Sequence, residues 1–371
     1  MLELDLTTEL DRQLLVCNAC RYCEGFCAMF GAAQLRTAIG DGDLAYLSSL
    51  CHDCRMCFDA CMFTPPHDYA VNIPAIMAQA RVQTYARYAR PAVLGALLRS
   101  PARTAVLAVA AGIAIVLCAV LLASGATALW TPALGPGAFY RVLPYTVMVT
   151  GATALVLAGA FALVVAGRAY ARDIGGGAPF VRGSTLRTAL REALALTYLR
   201  GGGVGCYDEG RGSSRRRIFH GLVFWGVTAN FAATTLAAIG QEFLHRVPPY
   251  PLWSPPVALG ALGGIALAIG AAGLFVVKRR SDPAPTAARQ LALDDAFLVL
   301  LELAALSGLA LLALRTTPAM GTLLIVHLGT IVGLFTTAPY GKLVHAMYRS
   351  IALVKHAAER EATPHGPNTD T

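Results

Sequence analysis

Charge is scarce in this 371-residue chain: only 14% of its residues are Asp, Glu, Lys or Arg, against about a quarter in ordinary soluble domains. A chain so poor in charge is not a conventional soluble enzyme. Export features are missing from its start, since Met1 to Asp11 is acidic and has neither a basic opening nor an apolar core; no secretory signal is read there. No G-x-G-x-x-G lies at a strand-to-helix junction, which leaves the chain without a flavin or nicotinamide domain of its own. The glycines Gly175 to Gly177 and Gly201 to Gly203 follow no strand pattern and read as connectors. Nor does the N-terminal region hold a nucleophile-and-base constellation.

What is abundant is apolar length. Hydrophobic residues make up 56% of the chain and its mean hydropathy is +0.56. A spanning helix needs about 20 mainly apolar residues, and six stretches qualify: Thr104 to Ser124, Pro144 to Gly167, Phe219 to Gly240, Pro256 to Val277, Ala296 to Leu314 and Met320 to Pro339. Only Glu302, near the start of the fifth, is charged inside them. Arg99 and Arg103, the arginines from Arg168 to Arg217, Lys278 to Arg280, and Lys342, Arg349 and Lys355 then fall on one side if both termini are cytoplasmic. The opposite loops carry only Arg141, Arg246 and Arg315. The net charge of +8 is therefore a topology signal. It could also draw anionic lipid, but basic residues bordering membrane spans argue against nucleic acid. The expected place is a bacterial-type cytoplasmic membrane.

Residues 1–100 contain no spanning run but two cysteine combs, CNACRYCEGFC from Cys17 to Cys27 and CHDCRMCFDAC from Cys51 to Cys61. In a cytoplasmic domain thiols stay reduced, and such density points to metal rather than disulfides. C-x2-C-x2-C-x3-C is the spacing of ferredoxin-like domains, in which three thiolates of one run and the fourth of the other hold each 4Fe-4S cluster. By that logic Cys17, Cys20, Cys23 and Cys61 hold one cluster, and Cys51, Cys54, Cys57 and Cys27 the other, the last cysteine of each run entering a following helix. The proline that often follows the fourth cysteine is replaced by Ala28 and Met62. Zinc sites prefer cysteine pairs separated by a longer loop. Cys118, within the first span, reads as a small buried hydrophobe, and Cys206 as a loop thiol without a cofactor.

Electrons delivered by clusters need an acceptor in the membrane, and histidine is the usual axial ligand of a membrane b-type haem. His220 opens the third span, His327 lies in the outer half of the sixth, and His345 lies 18 residues beyond it. If one helix continues through Pro339, His327 and His345 share a face about 27 Å apart. His220 and His345 are the pair at one depth, on the cytoplasmic side. His245 lies at the outer end, and His52, His67, His356 and His365 read as surface positions or neighbours of a site. Spans three and six resemble the cytochrome b subunit of respiratory nitrate reductase, in which one helix supplies histidines ten residues apart and the last helix supplies two more eighteen apart. Ten residues after His220 stands Asn230. The resemblance therefore implies one haem b on His220 and His345, with His327 and His245 left as a possible second haem or quinone site.

Two combs joined to six spans, with LTYLRGGGVGCYDEGRGSSRRRIFHGLVFWG leading into the third, resemble the tricarballylate or citrate utilization protein B family. They are also similar to the C-terminal part of a flavin-, haem- and cluster-containing protein of a cobalamin pathway. The family resemblance implies a mainly α protein: a ferredoxin-like two-cluster domain (1–100), a six-helix transmembrane cytochrome b-like bundle (101–355, with a cytoplasmic loop 168–218) and a disordered tail (356–371). It implies that a separate FAD-dependent dehydrogenase of the tricarballylate dehydrogenase type is reoxidised by this chain, with quinone as electron acceptor. A quinone-linked subunit of a heterodisulfide or thiol reductase complex is the alternative. A redox-sensing protein would need an output domain beyond the short polar tail.

Overall fold

The computed structural model describes residues 5–175, 180–199, 206–208 and 211–363, with the backbone alone for 206–208, 211 and 212. Gly176, Gly177, Gly201 to Gly203, His365 and the thiol of Cys206 lie outside what is described. The N-terminal domain is built of short helices, with no strand among its described residues: α1 (Leu6–Cys20), α2 (Ala28–Ala33), α3 (Asp41–Leu50), α4 (Met56–Asp59) and α5 (Ile73–Tyr88). Asp5 starts α1 by accepting the Thr7 backbone N–H at 3.3 Å, a side-chain cap for a donor that has no helical partner. Asn72 starts α5 in the same way, accepting from the Ala75 backbone. Leu10, Tyr46, Leu47, Leu50 and Met77 are fully buried between these helices.

Six helices are long and apolar enough to cross a membrane, matching the six expected spans in order. They are α6 (Pro101–Ser124), α8 (Tyr145–Gly175), α10 (Arg215–Glu242), α11 (Pro255–Arg280), α12 (Ala288–Leu314) and α13 (Met320–Thr337). A short α7 (Ala138–Val142) lies between the first two, and α9 (Gly183–Leu194) and a two-stranded antiparallel ladder, β1 (Cys206–Asp208) with β2 (Arg211–Ser213), lie between the second and third. Glycine decides which spans touch. A Cβ on Gly112 of α6 would lie 2.2 Å from the Gly329 carbonyl oxygen of α13, and one on Gly226 of α10 would lie 2.9 Å from the Gly263 carbonyl oxygen of α11. In an apolar solvent such close backbone approach supplies the packing that the hydrophobic effect cannot. Cys118 faces outward from α6 instead of being buried among helices.

The chain departs from expectation at the end of the sixth span. Helix α13 stops at Thr337, a tight turn of 3₁₀ helix covers Ala338–Tyr340, and a separate α14 (Val344–Ala362) follows. Pro339 has no N–H to offer an α-helix, and Gly341 follows with extended backbone. His327 and His345 therefore do not share one continuous helix. Helix α14 also runs past His356 into the expected tail, and His356 is buried. Because α12 begins at Ala288, Glu302 falls midway along it rather than near its start.

One end of the bundle carries the N-terminal domain. Helix α14 is the strut: Glu359 accepts from Arg36 at 2.7 Å and from the Tyr46 hydroxyl at 2.8 Å. Tyr348 of α14, Tyr170 of α8, and Tyr85 and Tyr88 of α5 are all buried in one aromatic cluster, with Tyr170 and Tyr348 ring centroids 4.7 Å apart. Aromatic faces and edges packed at such spacings add to simple area burial.

Candidate metal centre

The first comb is presented by a helix end and a tight turn. Cys17 and Cys20 lie on the last turn of α1, and Arg21 halts the helix in a left-handed conformation (φ 54°) while donating its N–H to the Cys17 carbonyl. Cys27 immediately precedes α2 and Cys51 immediately follows α3. Asp53 (φ 58°) and Arg55 (φ 66°) are left-handed too. Non-glycine residues in that region carry about 1–3 kcal/mol of strain each, held here where the chain turns between thiols. Cys57 lies within α4 and Cys61 just beyond it. Cys61 is followed by turns rather than by the expected helix, because Pro65 and Pro66 and the bends around them occupy the chain up to α5.

Folding brings the fourth cysteine of each comb to the other comb. Cys17, Cys20, Cys23 and Cys61 line one cavity of about 270 Å³. Burial pushes Cys17 up to about 11, with Cys61 and Cys20 adding to it. Burial likewise raises Cys23 to about 12, helped by Cys17, Cys61 and Cys20. In the second set burial raises Cys27 to about 12, with Cys54 and Cys51 as its sulfur neighbours, and Cys57 is raised by burial and then by Cys54, Cys51 and Cys27. None of the eight is in a disulfide. Sulfurs gathered in this way resist ionising next to one another, and a bound cation is what converts them to thiolates. Cysteines, the donors that 4Fe-4S clusters take, thus fall into two sets of four, one lining a cavity, although among the described residues no group of three or more is placed to hold a single metal ion. Backbone N–H groups of Met29 and Phe30 point to the Cys27 sulfur, and that of Phe63 to Cys61 at 3.4 Å.

The second set lies against the membrane bundle through charged side chains that stand far apart in the chain. Arg216 of α10 donates to the Asp53 carbonyl at 2.9 Å, and the Asp53 carboxylate lies 3.9 Å from Arg216 and 3.7 Å from Lys278. Burial works against this carboxylate, but Lys278, Arg216 and further arginines hold it below its ordinary value. Lys278 also binds Asp294 of α12, whose other oxygen lies 2.7 Å from Lys342. The Lys342 carbonyl accepts Nδ1–H of His345 at 2.7 Å. Burial, followed by Lys342, pushes His345 down to about 3, so its ring is neutral and Nε2 is the nitrogen left to bind.

His220 stands one turn after Arg216 on α10, and its Nδ1 is buried without a partner. His345 lies within electrostatic reach of it. One ring thus has a carbonyl-fixed tautomer and the other a buried nitrogen without a partner. His327 does not join them. Its Nδ1 is 3.0 Å from the Ser307 hydroxyl, and its ring fills the notch at Gly308 on α12. Asn230 instead turns to α11 and bonds back to the Gly226 carbonyl of its own helix. His245 is exposed in the loop after α10 with φ 51°. His67 is exposed, one of the two places expected of it, and His52 takes the other, with both ring nitrogens shut from solvent beside Cys54.

Residues 10–87 match the Citrate utilization protein B Fer4-like domain, and residues 98–366 match Citrate utilization protein B. The chain is 41% identical over 358 residues to Citrate utilization protein B of Escherichia coli, covering 95% of this chain and 92% of that one. No solved structure matches. With both parts matched in order and nearly the whole length aligned, the chain belongs to the citrate utilization protein B family.

Proposed function

We propose that this chain is a membrane electron-transfer protein that accepts electrons from a partner FAD-dependent dehydrogenase of the tricarballylate or citrate utilization type and delivers them to the quinone pool. The family membership and the Fer4-like domain support an electron-transfer role, and the six apolar helices support a multi-pass membrane setting. The basic residues bordering the spans favour cytoplasmic termini in a cytoplasmic membrane.

The observation that carries the reading is the contact between α14 and the end of α3, which leads into the second comb. Arg349, one turn beyond His345, donates to the Leu50 carbonyl at 2.6 Å, next to Cys51. A single helix thus touches the residue before Cys51 and bears a histidine of the pair. Bound at these sites, two 4Fe-4S clusters and a haem b would supply single-electron chemistry. Cys17, Cys20, Cys23 and Cys61 would hold the outer cluster, where Cys20 is exposed to a partner. Cys27, Cys51, Cys54 and Cys57 would hold the inner one, and His220 and His345 the haem.

The test is iron, sulfide and haem analysis of the purified protein together with a dithionite-reduced minus air-oxidised visible spectrum. About eight iron and eight sulfide per chain and a sharp b-type band, reoxidised by a short-chain quinone, are expected. Protein without iron and sulfide would defeat the relay, and clusters without a haem band would defeat its membrane half.

A further inference from the structure

The two combs stand in unlike electrostatic surroundings. Two guanidiniums converge on the carboxyl end of α3, beside the second comb. Arg81 of α5 donates from Nε to the Ser48 carbonyl at 3.1 Å and from Nη2 to the Cys51 carbonyl at 2.7 Å. Arg349 of α14 donates from Nη1 to the Leu50 carbonyl at 2.6 Å and the Ser49 carbonyl at 3.3 Å. A helix end leaves its last carbonyls unbonded, and capping them is the simplest task for these arginines. Their charge reaches further, since Arg349 acts on Cys51 and Cys27 and Arg81 on Cys51. Asp53, the nearby acid, acts on Cys51 with the opposite sign, but its carboxylate is itself offset by Arg216 at 3.9 Å and Lys278 at 3.7 Å. The first comb has no such excess: its cavity is lined by Arg21 and Glu24, opposite in sign, and Cys20 is exposed.

We propose that Arg349, together with Arg81, raises the reduction potential of the centre held by Cys27, Cys51, Cys54 and Cys57 above that of the centre held by Cys17, Cys20, Cys23 and Cys61. The order directs electrons from the exposed comb inward. This inference rests on the cluster reading above. The transfer concerned is of one electron, which leaves the outer centre and enters the inner one with no bond made or broken. Net charge, hydrogen bonds to sulfur and exposure set such potentials. Burial alone works the other way, because added negative charge is harder to hold where water is excluded. Guanidiniums that stay charged at every relevant pH, placed among the carbonyls leading into Cys51, reverse that order, since a charge in a partly buried site acts with several times its strength in water. Arg349 also acts on His220 and lies one turn from His345, so the same cation favours an electron further in.

The test is an EPR-monitored redox titration of the full-length, cluster-loaded protein in detergent, as wild type, Arg349→Gln, Arg349→Lys and Cys20→Ser. Wild type should show two one-electron waves separated by at least tenfold in equilibrium constant, about 59 mV. Cys20→Ser should displace or abolish the lower wave. Arg349→Gln should lower the upper wave toward the other, and Arg349→Lys, which keeps the charge, should restore it; a residue that only capped α3 would leave both waves in place. A single wild-type wave, or an upper wave that responds to Cys20→Ser, overturns the proposal even if Arg349→Gln fails to assemble. So does an Arg349→Gln protein with unchanged waves. Wild-type protein lacking iron and sulfide would instead overturn the cluster reading, and the proposal with it.

Discussion

Lys342 and His345 are tied twice over to the inner end of the bundle: the Lys342 carbonyl accepts Nδ1–H of His345 at 2.7 Å, while the Lys342 ammonium lies 2.7 Å from the buried Asp294 carboxylate. A ligand histidine is oriented by whatever its second nitrogen meets, so this arrangement selects Nε2 for binding. Separate His220→Ala and His345→Ala variants should each lose the b-type band while retaining iron and sulfide. His327→Ala, which removes a ring held against α12 by Ser307 and the Gly308 notch, should keep wild-type haem per chain. Haem surviving both of the first two changes would refute the pair.

The cysteine sets predict a crossed pattern of loss. Cys61→Ser should perturb the same EPR signal as Cys17→Ser, although Cys61 belongs to the other comb in sequence, and Cys27→Ser should perturb the same signal as Cys54→Ser. Variants that grouped by comb would contradict the sharing of fourth ligands.

The buried Asp294 compensates two half-buried ammonium groups, Lys278 and Lys342, and accepts from Gln290 at 2.8 Å. Removing one partner of a buried pair leaves the other charge unpaired, at about 3–5 kcal/mol. Asp294→Ala should therefore lower the melting midpoint in detergent sharply, and Asp294→Ala combined with Lys342→Met should recover part of the loss. A midpoint equal to wild type in the single variant would show the network to be solvated.

Close backbone contact between α6 and α13 is equally exposed to test. With a Cβ at Gly112 meeting the Gly329 carbonyl oxygen at 2.2 Å, and one at Gly329 meeting the Ile113 Cα at 2.5 Å, Gly112→Val should destabilise by at least about 2 kcal/mol, as overpacking does. Gly151→Ala, with nothing within 4 Å of the added carbon, is the matched control and should melt like wild type.

His356 predicts an acid limb to stability. Burial, then Arg360, Arg36 and Arg349, push it down to about 3 from the ordinary 6.5. Its folded value is the depressed one, so above about pH 6.5 both folded and unfolded chains are neutral here and nothing is lost; as pH falls toward 3 only the unfolded chain takes the proton. The loss is roughly 1 kcal/mol between pH 7 and pH 5.5. His356→Gln should reduce the fall in melting midpoint over that interval, measured against wild type; equal falls would mean that the ring is reached by protons in the folded state.

The combs were legible because their chemistry is local: gaps of two and three residues place sulfurs around one turn of chain whatever lies outside it. Spans were legible for a similar reason, since lipid demands apolar length from each helix separately. His220 could be singled out from its place at a span's mouth, whereas His52, His67 and His356 carried no local signal to tell the exposed ring from the buried ones. Whether one helix runs on through Pro339 was left open by periodicity, which records only spacing; the break comes from the donor that proline lacks. No periodicity betrays Asp53 with Arg216 and Lys278, Asp294 with Lys342, or Arg349 with the end of α3, for these partners lie far apart in sequence and on different helices.

By itself, then, the order of residues determined which thiols are available, how many helices suit a membrane and which end of the bundle is basic, all consequences of short-range geometry or of solvent. Tertiary structure decided which cations stand beside which thiols, which nitrogen of His345 is left to bind, and that His327 bonds to Ser307 instead of facing Asn230. Charges and ring nitrogens act over a few ångströms, and only the packing of distant helices brings their partners that close.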